Sequence, residues 1–297
     1  MKLMTLVLAV VTLLSTTLAS ASTDGVPVLR VTAPNGQQSI LVGSIHVPIE
    51  GLREPAQSIF NGARHYVIEH IGLSSLRPND LPKSGARVDW AKSLTDKEVN
   101  TYLQRATCVG LTEATARKLL QEPTPHEANV YAYRICPAPR YALDRDSYMS
   151  AIVPPSLALR LEVLENDDWV ERQRRMVPGD SEVVGFKWAL AHDPQTVLAQ
   201  TRDDINRGDY DALRAQVLES FGSPQAAADY GRHMVDERNA AWIPVLRRVL
   251  DDGAAVVVVG AMHFPGPTGL IALLRREGYT VDNINWPAVQ AANDVPR

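Results

Sequence analysis

Short apolar runs alternate with amphipathic stretches along this chain, and the pattern predicts strands separated by helices. Val26–Val31, Gln38–Val42 and Tyr66–Glu69 are rich in β-branched or aromatic residues, and turn-forming residues separate the first two, so each is predicted as a strand. Pro55–Ala63, which precedes the third strand, carries apolar residues at helical spacing. The chain is therefore predicted to open with a hairpin, followed by a helical crossover to a parallel strand.

Residues 94–140 are predicted to form a helical insertion. Thr95, followed three residues later by Glu98, is a capping box that begins a helix by satisfying free backbone N–H groups. Val99 and Leu103 then place apolar side chains on one face of this helix. The insertion adds a helical layer to the fold that the rest of the chain predicts.

The second half of the chain returns to alternating strands and helices. Leu157–Leu164 follows a break at Pro154 and Pro155 and is predicted as a strand. Helical segments with interruptions cover Pro194–Leu250, and Ala254–Val259 is apolar throughout, as expected of a strand covered on both faces. The last helix and the last strand are predicted at Thr268–Arg276 and Tyr279–Ile284. The predicted fold is α/β, a single domain with a central, largely parallel mixed sheet flanked by helices, plus the helical insertion.

The first 21 residues have the pattern of a secretory signal peptide. Lys2 precedes an apolar stretch from Leu3 to Leu14, and the small residues Ala19–Ala21 form a cleavage motif. The apolar stretch is shorter than the roughly 20 residues that a transmembrane helix needs, so cleavage is favoured over a membrane anchor. We therefore expect residues 22–297 to form a periplasmic or secreted protein without a stable membrane anchor.

The composition excludes nucleic acid as a partner and does not decide whether the two cysteines form a disulfide. The chain has 34 acidic and 30 basic residues and a formal net charge of −4, so it lacks the basic surface that nucleic-acid binding requires. Its two cysteines, Cys108 and Cys136, could form a disulfide in an oxidising compartment or remain two buried thiols. The sequence leaves both possibilities open.

Two glycine-x-x-histidine motifs, each at the end of a predicted strand, carry the candidate chemistry. They are GSIH, ending at His46, and GAMH, ending at His263. In open parallel sheets, ligands bind beyond the carboxyl ends of the strands. A glycine at this point lets a ligand or another backbone approach closely, because it has no Cβ. The two histidines are therefore predicted to form two halves of one site.

Two further predicted strands contribute carboxylates, Glu69 and Glu162. Two imidazoles with one or two carboxylates are a common donor set for zinc, manganese or iron, and are equally a general acid/base set. Either glutamate could instead mark the point where a strand emerges into water. His65 and His70 are weaker candidates because they lie five residues apart and cannot share a face of an extended strand.

Arg238 falls on the apolar face of a predicted helix, in line with Val235 and Trp242, and Asn239 lies on the flank of that face. A guanidinium group in an apolar setting needs a carboxylate or an anionic ligand, unless the side chain extends to the surface. Arg238 and Asn239 are therefore added to the candidate site.

Several segments together carry a family resemblance. They are LVGSIHV (Leu41–Val47), YVIEH (Tyr66–His70), LRLEVLEND (Leu159–Asp167), INRGDYDAL (Ile205–Leu213), DERNAAW (Asp236–Trp242) and VVVVGAMHFPGPTGLIALLRREGYTV (Val256–Val281). Through them the sequence resembles the TraB/PrgY/GumN family, which is related to the TIKI proteases and more distantly to the erythromycin esterase and ChaN-like proteins.

The resemblance implies a single α/β domain with its site at one end of the sheet. The family's paired GxxH motifs, strand-end glutamates and Arg-Asn pair match His46, His263, Glu69, Glu162, Arg238 and Asn239. For the TIKI branch the resemblance implies metal-dependent peptide hydrolysis with manganese or cobalt. Other members are described as pheromone-shutdown or polysaccharide-cluster proteins, so the resemblance does not define one reaction.

The first functional hypothesis is a metal-dependent hydrolase of the cell envelope, acting on a peptide or on another small molecule with an amide or ester bond. The predicted ligands for Mn, Co or Zn are His46, Glu69 and His263, and the predicted catalytic residues are Glu162, Arg238 and Asn239. Glu162 would accept a proton from a metal-activated water, and Arg238 would stabilise the developing oxyanion or hold a substrate carboxylate.

Two alternatives come from other classes of protein. The same cleft could belong to a non-catalytic periplasmic protein that binds a small peptide or a haem-like ligand. A scaffold role in envelope assembly is the third hypothesis, and it requires no convergence of polar residues. Bound metal with a water-activating carboxylate favours hydrolysis, whereas retention of a ligand without product favours binding.

Overall fold

The computed structural model describes residues 25–71, 89–136 and 143–289, so the predicted signal peptide lies outside the described residues. The strands are β1 (Val26–Thr32), β2 (Gln38–Ser44), β3 (His65–Ile68), β4 (Glu162–Val163), β5 (Ala255–Gly260) and β6 (Thr280–Trp286). The helices are α1 (Asp89–Lys92), α2 (Asp96–Cys108), α3 (Glu113–Leu119), α4 (His126–Ala132), α5 (Arg145–Ile152), α6 (Pro155–Ala158), α7 (Asp167–Met176), α8 (Gly179–Ala191), α9 (Pro194–Arg207), α10 (Tyr210–Glu219), α11 (Pro224–Tyr230), α12 (Glu237–Asp252) and α13 (Leu270–Arg276). Within the described ranges, no helix has both the length and the apolar character that a bilayer crossing requires.

The strands form one mixed sheet in the order β4-β3-β5-β2-β1-β6. β4, β3, β5 and β2 are parallel, whereas β1 is antiparallel to both of its neighbours, β2 and β6. β6 therefore runs in the same direction as β2, and β1 alone opposes the other strands. This topology confirms the predicted hairpin and the largely parallel mixed sheet.

The sheet is buried on both faces, as the apolar β5 sequence predicts. Val257 and Val259 pack with α12 and α13 in one core, and Val256 and Val258 pack with α5 in another. Because side chains alternate across a strand, successive valines of β5 point into the two cores in turn. The two cores hold the strand ends in place.

The predicted helical insertion contains α2, α3 and α4, which pack with α8 around Tyr102 and Phe186 in a separate apolar cluster. The Thr95–Glu98 capping box is present at the start of α2. Cys108 and Cys136 form a disulfide with a Cα–Cα distance of 5.9 Å, so the bond that the sequence left open is made. The division of the chain into a domain and an insertion stays a prediction.

Two predicted elements differ from the structure. Leu157–Leu164 is predicted as a strand, but α6 occupies its first half and only Glu162–Val163 pairs with the sheet. The reason is that Pro155 stands in the first turn of α6, where the fixed φ of proline favours a helix. Pro55–Ala63 is predicted as a helix, but only its central residues form a short 3₁₀ turn.

Candidate functional site

The ends of β2, β3 and β5 bring three predicted site residues together above Gly260. A Cβ atom at Gly260 would lie 3.2 Å from Glu69 Oε1, 3.5 Å from His263 Cδ2 and 3.7 Å from His46 Nε2. A side chain at this position would therefore crowd all three groups, and glycine leaves the space between them open. The two GxxH histidines and Glu69 thus share one site, as the strand-end positions predict.

Gly43, the glycine of the first GxxH motif, allows a close backbone approach. A Cβ there would lie 3.0 Å from the Phe264 ring and 3.1 Å from Ala261 Cβ. The short 3₁₀ turn Ala261–His263 can therefore pack directly on the end of β2. In the sheet, Gly43 is opposite Val259, so both motifs leave the sheet side by side.

Arg238 lies between two buried carboxylates, those of Glu69 and Glu165. Its Nη2 donates to Glu69 Oε2 at 2.7 Å and also to Glu165, and its Nε donates to Glu165 Oε1 at 2.8 Å. Nη1 donates to the backbone oxygen of Met234 at 3.0 Å and lies 3.4 Å from Nε2 of His263. A guanidinium has five N–H donors, and each has a partner here, so Arg238 has no donor free for a substrate.

Glu69 is held in its ionised form by its surroundings. Burial raises its pKa, but the positive charges of Arg238 and His46 and the backbone N–H of Gly260 outweigh burial and keep the pKa well below the usual range. The Gly260 N–H donates to Glu69 Oε1 at 2.6 Å. Glu69 is therefore a buried anion at the centre of the site.

Asn239 sets the tautomer of His263. Its Nδ2 donates to the backbone oxygens of His263 at 3.2 Å and Thr268 at 2.9 Å, and carbonyl oxygens only accept. The Asn239 Oδ1 atom must then accept the Nδ1–H of His263, at 2.7 Å. His263 Nε2 therefore carries a lone pair, which can accept from Arg238 Nη1. Burial lowers the pKa of His263 to about 3, so the ring is neutral.

His46 has the opposite charge state. The His46 side chain is 66% exposed, so desolvation, which lowers its pKa, is incomplete. The hydrogen bond and charge of Asp146, aided by the charge of Glu69, oppose this and raise the pKa of His46 to about 9. Asp146 Oδ2 accepts from His46 Nδ1 at 2.9 Å, which leaves Nε2 on the side of Gly260.

The start of α5 positions Asp146. Asp144 caps the helix by accepting the N–H of Ser147, and the next residue, Arg145, is fully buried. Arg145 donates to the backbone oxygens of Gly43 at 2.7 Å and Arg53 at 2.6 Å. These bonds join α5 to the loop that carries His46. Asp146 and Arg145 were not among the predicted site residues, because no local pattern marks their distant partners.

Glu69 also belongs to a potential metal-binding group, together with His70 and Glu165. One ligand atom from each of Glu69, His70 and Glu165 lies within 4.8 Å of the others. His70 Nδ1 is 2.9 Å from Asp167 Oδ1, which leaves Nε2 as its lone-pair donor, a common arrangement in metal sites. Glu165 Oε2 is buried and has no hydrogen-bond partner among the described residues. Among the described residues, Glu69, His70 and Glu165 are the group whose donor atoms converge in this way. The donor atoms of the predicted set, His46, Glu69 and His263, do not.

This donor set fits a divalent cation. Glu69 and Glu165 supply two negative charges and Arg238 one positive charge, so the buried cluster is left with a net negative charge. The unpartnered Glu165 oxygen is costly to bury unless a cation or a donor group satisfies it. Two carboxylates with one imidazole are suitable ligands for manganese, cobalt or zinc.

Glu162 is not part of this cluster. Its Oε1 is 2.6 Å from His65 Nδ1, and its Oε2 accepts from Arg248 at 2.7 Å. Arg248 lies on α12 almost three turns beyond Arg238, or about 15 Å along the helix axis. The short strand β4 begins at Glu162, so the carboxylate that follows the strand and reaches Arg238 is Glu165. The LRLEVLEND motif contains both glutamates and offers no local signal to choose between them.

Comparison with known proteins matches part of the chain to one family model. Residues 170–283 match the model of the TraB/PrgY/gumN family, which supports the assignment made from the sequence motifs. The matched segment includes Arg238, Asn239 and His263, whereas His46 and Glu69 precede it. No curated protein and no solved structure matches the chain significantly.

Proposed function

We propose that this protein, whose residues 170–283 match the TraB/PrgY/gumN family model, is a metal-dependent hydrolase of a peptide or of another amide or ester bond. The observation that carries this proposal is the convergence of Glu69, His70 and Glu165 beside two oriented histidines. Convergence of ionisable groups at the carboxyl ends of strands is typical of an active site in an α/β fold.

In this proposal Glu69, His70 and Glu165 hold manganese, cobalt or zinc. A divalent cation in such a site supplies Lewis-acid chemistry and makes water a better nucleophile near neutral pH. Arg238 is a positioning residue, because its N–H groups hold Glu69 and Glu165 in place. In this role Arg238 does not contact the substrate, which differs from the oxyanion or carboxylate contact that the sequence predicts.

In the proposed reaction, His46 is the proton donor. With a pKa of about 9 it is protonated near neutral pH, and its Nε2–H faces the open space above Gly260. Hydrolysis of an amide adds water across the carbon–nitrogen bond, so the departing amine must gain a proton. His46 can donate that proton, and Asp146 stabilises the protonated ring beforehand.

The cell-envelope location belongs to the same proposal. Its support is the signal-peptide pattern of residues 1–21 and the disulfide between Cys108 and Cys136, since such bonds persist in oxidising compartments. The intact mass of the exported protein tests it. A mass that still includes residues 1–21 would contradict cleavage of the signal peptide.

The function is tested by metal analysis combined with turnover. The purified mature protein is dialysed against manganese, cobalt or zinc, and its metal content is measured by elemental mass spectrometry. Hydrolysis of a mixed peptide and ester library is then followed before and after chelation. We expect bound metal near one ion per chain, and turnover that chelation removes and the metal restores. Absence of both metal retention and metal-stimulated turnover would overturn the proposal.

Histidine variants identify the ligands. We expect His70→Ala to lose metal, while His192→Ala, a change at an exposed histidine stacked on Trp188, keeps it. Metal loss in His263→Ala but not in His70→Ala would support the ligand set that the sequence predicts. Retention of a small peptide or hemin without any product would favour the binding-protein alternative.

A further inference from the structure

A cavity of about 370 Å³ lies beside the candidate site, where α4 meets the α/β core. Asn129 and Val130 line it from α4, Val197 from α9, and His46 from the loop after β2. Its volume is within the range of small-molecule pockets in proteins. The cavity is therefore large enough for a bulky side chain.

The lining of the cavity is mainly apolar and includes three aromatic residues, Tyr133, Phe221 and Tyr230. The rings of Phe221 and Tyr230 lie 4.4 Å apart at an interplanar angle of 31°. Val130 also lines the cavity, and it is 43% exposed. Aromatic and aliphatic walls of this kind favour a large apolar group, because its burial removes apolar area from water.

Two of the polar residues in the lining, Asn129 and Arg134, limit what the cavity accepts. Asn129 lines the cavity, and its Oδ1 is a buried acceptor that no hydrogen bond from the described residues satisfies. Arg134 also lines the cavity, and its guanidinium forms no hydrogen bond or ion pair with the described residues. A free cation at this place disfavours a lysine or arginine side chain as ligand, because like charges repel.

The cavity adjoins the candidate site through His46. His46 lines it, while Nε2 of the same residue faces the space above Gly260 and near Glu69. Tyr230 lines it from the other side, close enough for the charges of Arg238 and Glu69 to act on its hydroxyl group. A group bound in the cavity would therefore place the adjoining part of the ligand next to the Glu69 cluster.

We propose that this cavity binds a large apolar side chain, best an aromatic one, of the substrate, next to the bond that the Glu69 cluster hydrolyses. The proposal rests on the hydrolase function proposed above and adds the substrate class to it. It also makes α4, in the predicted insertion, part of substrate recognition, because this helix supplies one wall.

The test measures binding separately from turnover. The probes are N-acetyl-phenylalanine amide, N-acetyl-alanine amide and N-acetyl-lysine amide, and their dissociation constants for the metal-loaded protein are measured by ligand-observed NMR. Burial of one large apolar side chain corresponds to a tenfold or larger gain in affinity. We expect the phenylalanine probe to bind roughly tenfold or more tightly than the alanine probe, and the lysine probe to bind most weakly.

Three variants locate the binding. Val197→Phe fills the cavity from α9, and Val130→Trp covers it from the exposed side of α4. Gln200→Phe is the matched control, because it adds the same ring at an exposed position of α9 outside the cavity. We expect Val197→Phe and Val130→Trp to abolish the preference for phenylalanine, and Gln200→Phe to keep it. If Val197→Phe does not fold, the exposed Val130→Trp change still decides the result.

The outcomes separate the two proposals. Equal binding of the three probes, or a preference that both cavity variants retain, would overturn the pocket. Metal-dependent turnover without selectivity for apolar residues would overturn the pocket and leave the hydrolase proposal in place. A phenylalanine preference that the cavity variants remove, in a protein without turnover, would support the pocket and overturn the hydrolase proposal.

Discussion

Glu162 and Glu165 lie three residues apart in one segment, yet their surroundings differ. Glu165 is buried against Arg238, whereas Glu162 is partly exposed and pairs with His65 and Arg248. A buried charge depends on its partner far more than an exposed one, because water cannot replace the lost contact. The same substitution at the two positions should therefore have different effects.

We predict that Glu165→Gln lowers the free energy of unfolding by about 3 kcal/mol, since it removes a buried ion-pair partner. Glu162→Gln is the matched control and should cost less than about 1 kcal/mol. Urea denaturation of the metal-free proteins measures both values. Similar losses in the two variants would contradict the placement of Glu165. Loss of turnover in Glu162→Gln alone would support the proton-acceptor role that the sequence predicts for Glu162.

The second prediction at the residue scale concerns Asn239 and the protonation of His263. Asn239→Leu keeps a similar volume but removes the Oδ1 atom that accepts from His263 Nδ1. We expect the wild-type ring to carry its proton on Nδ1 and the variant to gain the Nε2–H form, because the Nδ1–H then lacks a partner. Nitrogen-15 NMR of the histidine rings distinguishes the two forms. The same form in both proteins would show that Asn239 does not determine it.

At the scale of elements, the contacts of α10 at the sheet depend on Tyr210 in its first turn. The Tyr210 ring packs edge-on against Phe264, with centroids 5.0 Å apart, and its hydroxyl donates to the backbone oxygen of Pro27 at 3.4 Å. Burial raises the pKa of Tyr210 to about 12, above the usual value near 10. The folded state therefore binds more protons than the unfolded chain between these values.

The sign of the pH effect follows from that difference in proton binding. Stability falls as pH rises wherever the folded state binds more protons. From about pH 9 to about pH 11, Tyr210 should cost the protein roughly 1 kcal/mol of unfolding free energy. Tyr210→Phe should lack this part of the alkaline loss, as measured by denaturant unfolding at both pH values. An equal loss in the variant would contradict the prediction.

At the scale of the whole molecule, the helices α2–α4 form an apolar cluster distinct from the two cores of the sheet. The Cys108–Cys136 disulfide closes a loop with a sequence separation of 28 within this part of the chain. A loop of that length corresponds to about 3–4 kcal/mol of stabilisation, because the bond restricts the unfolded chain.

We predict that the Cys108→Ala, Cys136→Ala double variant loses about 3–4 kcal/mol of unfolding free energy and keeps the metal content of the wild type. Neither cysteine contacts Glu69, His70 or Glu165, so the site should not depend on the bond. Chemical denaturation and elemental analysis measure the two quantities. A folded double variant that no longer holds metal would show that the disulfide contributes to the site.

The sequence alone determined much of the fold, because the signals involved are local. The hairpin of β1 and β2, the apolar β5 and the capping box of α2 are each encoded within a few neighbouring residues. The convergence of His46, Glu69 and His263 was also predictable, since parallel strands end at the same edge of the sheet.

The tertiary structure alone decided which groups those residues contact. Arg238 could have extended to water, but the packing of α12 beside β3 and β4 places it between Glu69 and Glu165. The choice of Glu165 over Glu162 depends on where a strand of two residues pairs with β3. Neither contact has a local signal, because each joins residues that are distant in the chain and meet through helix and sheet packing.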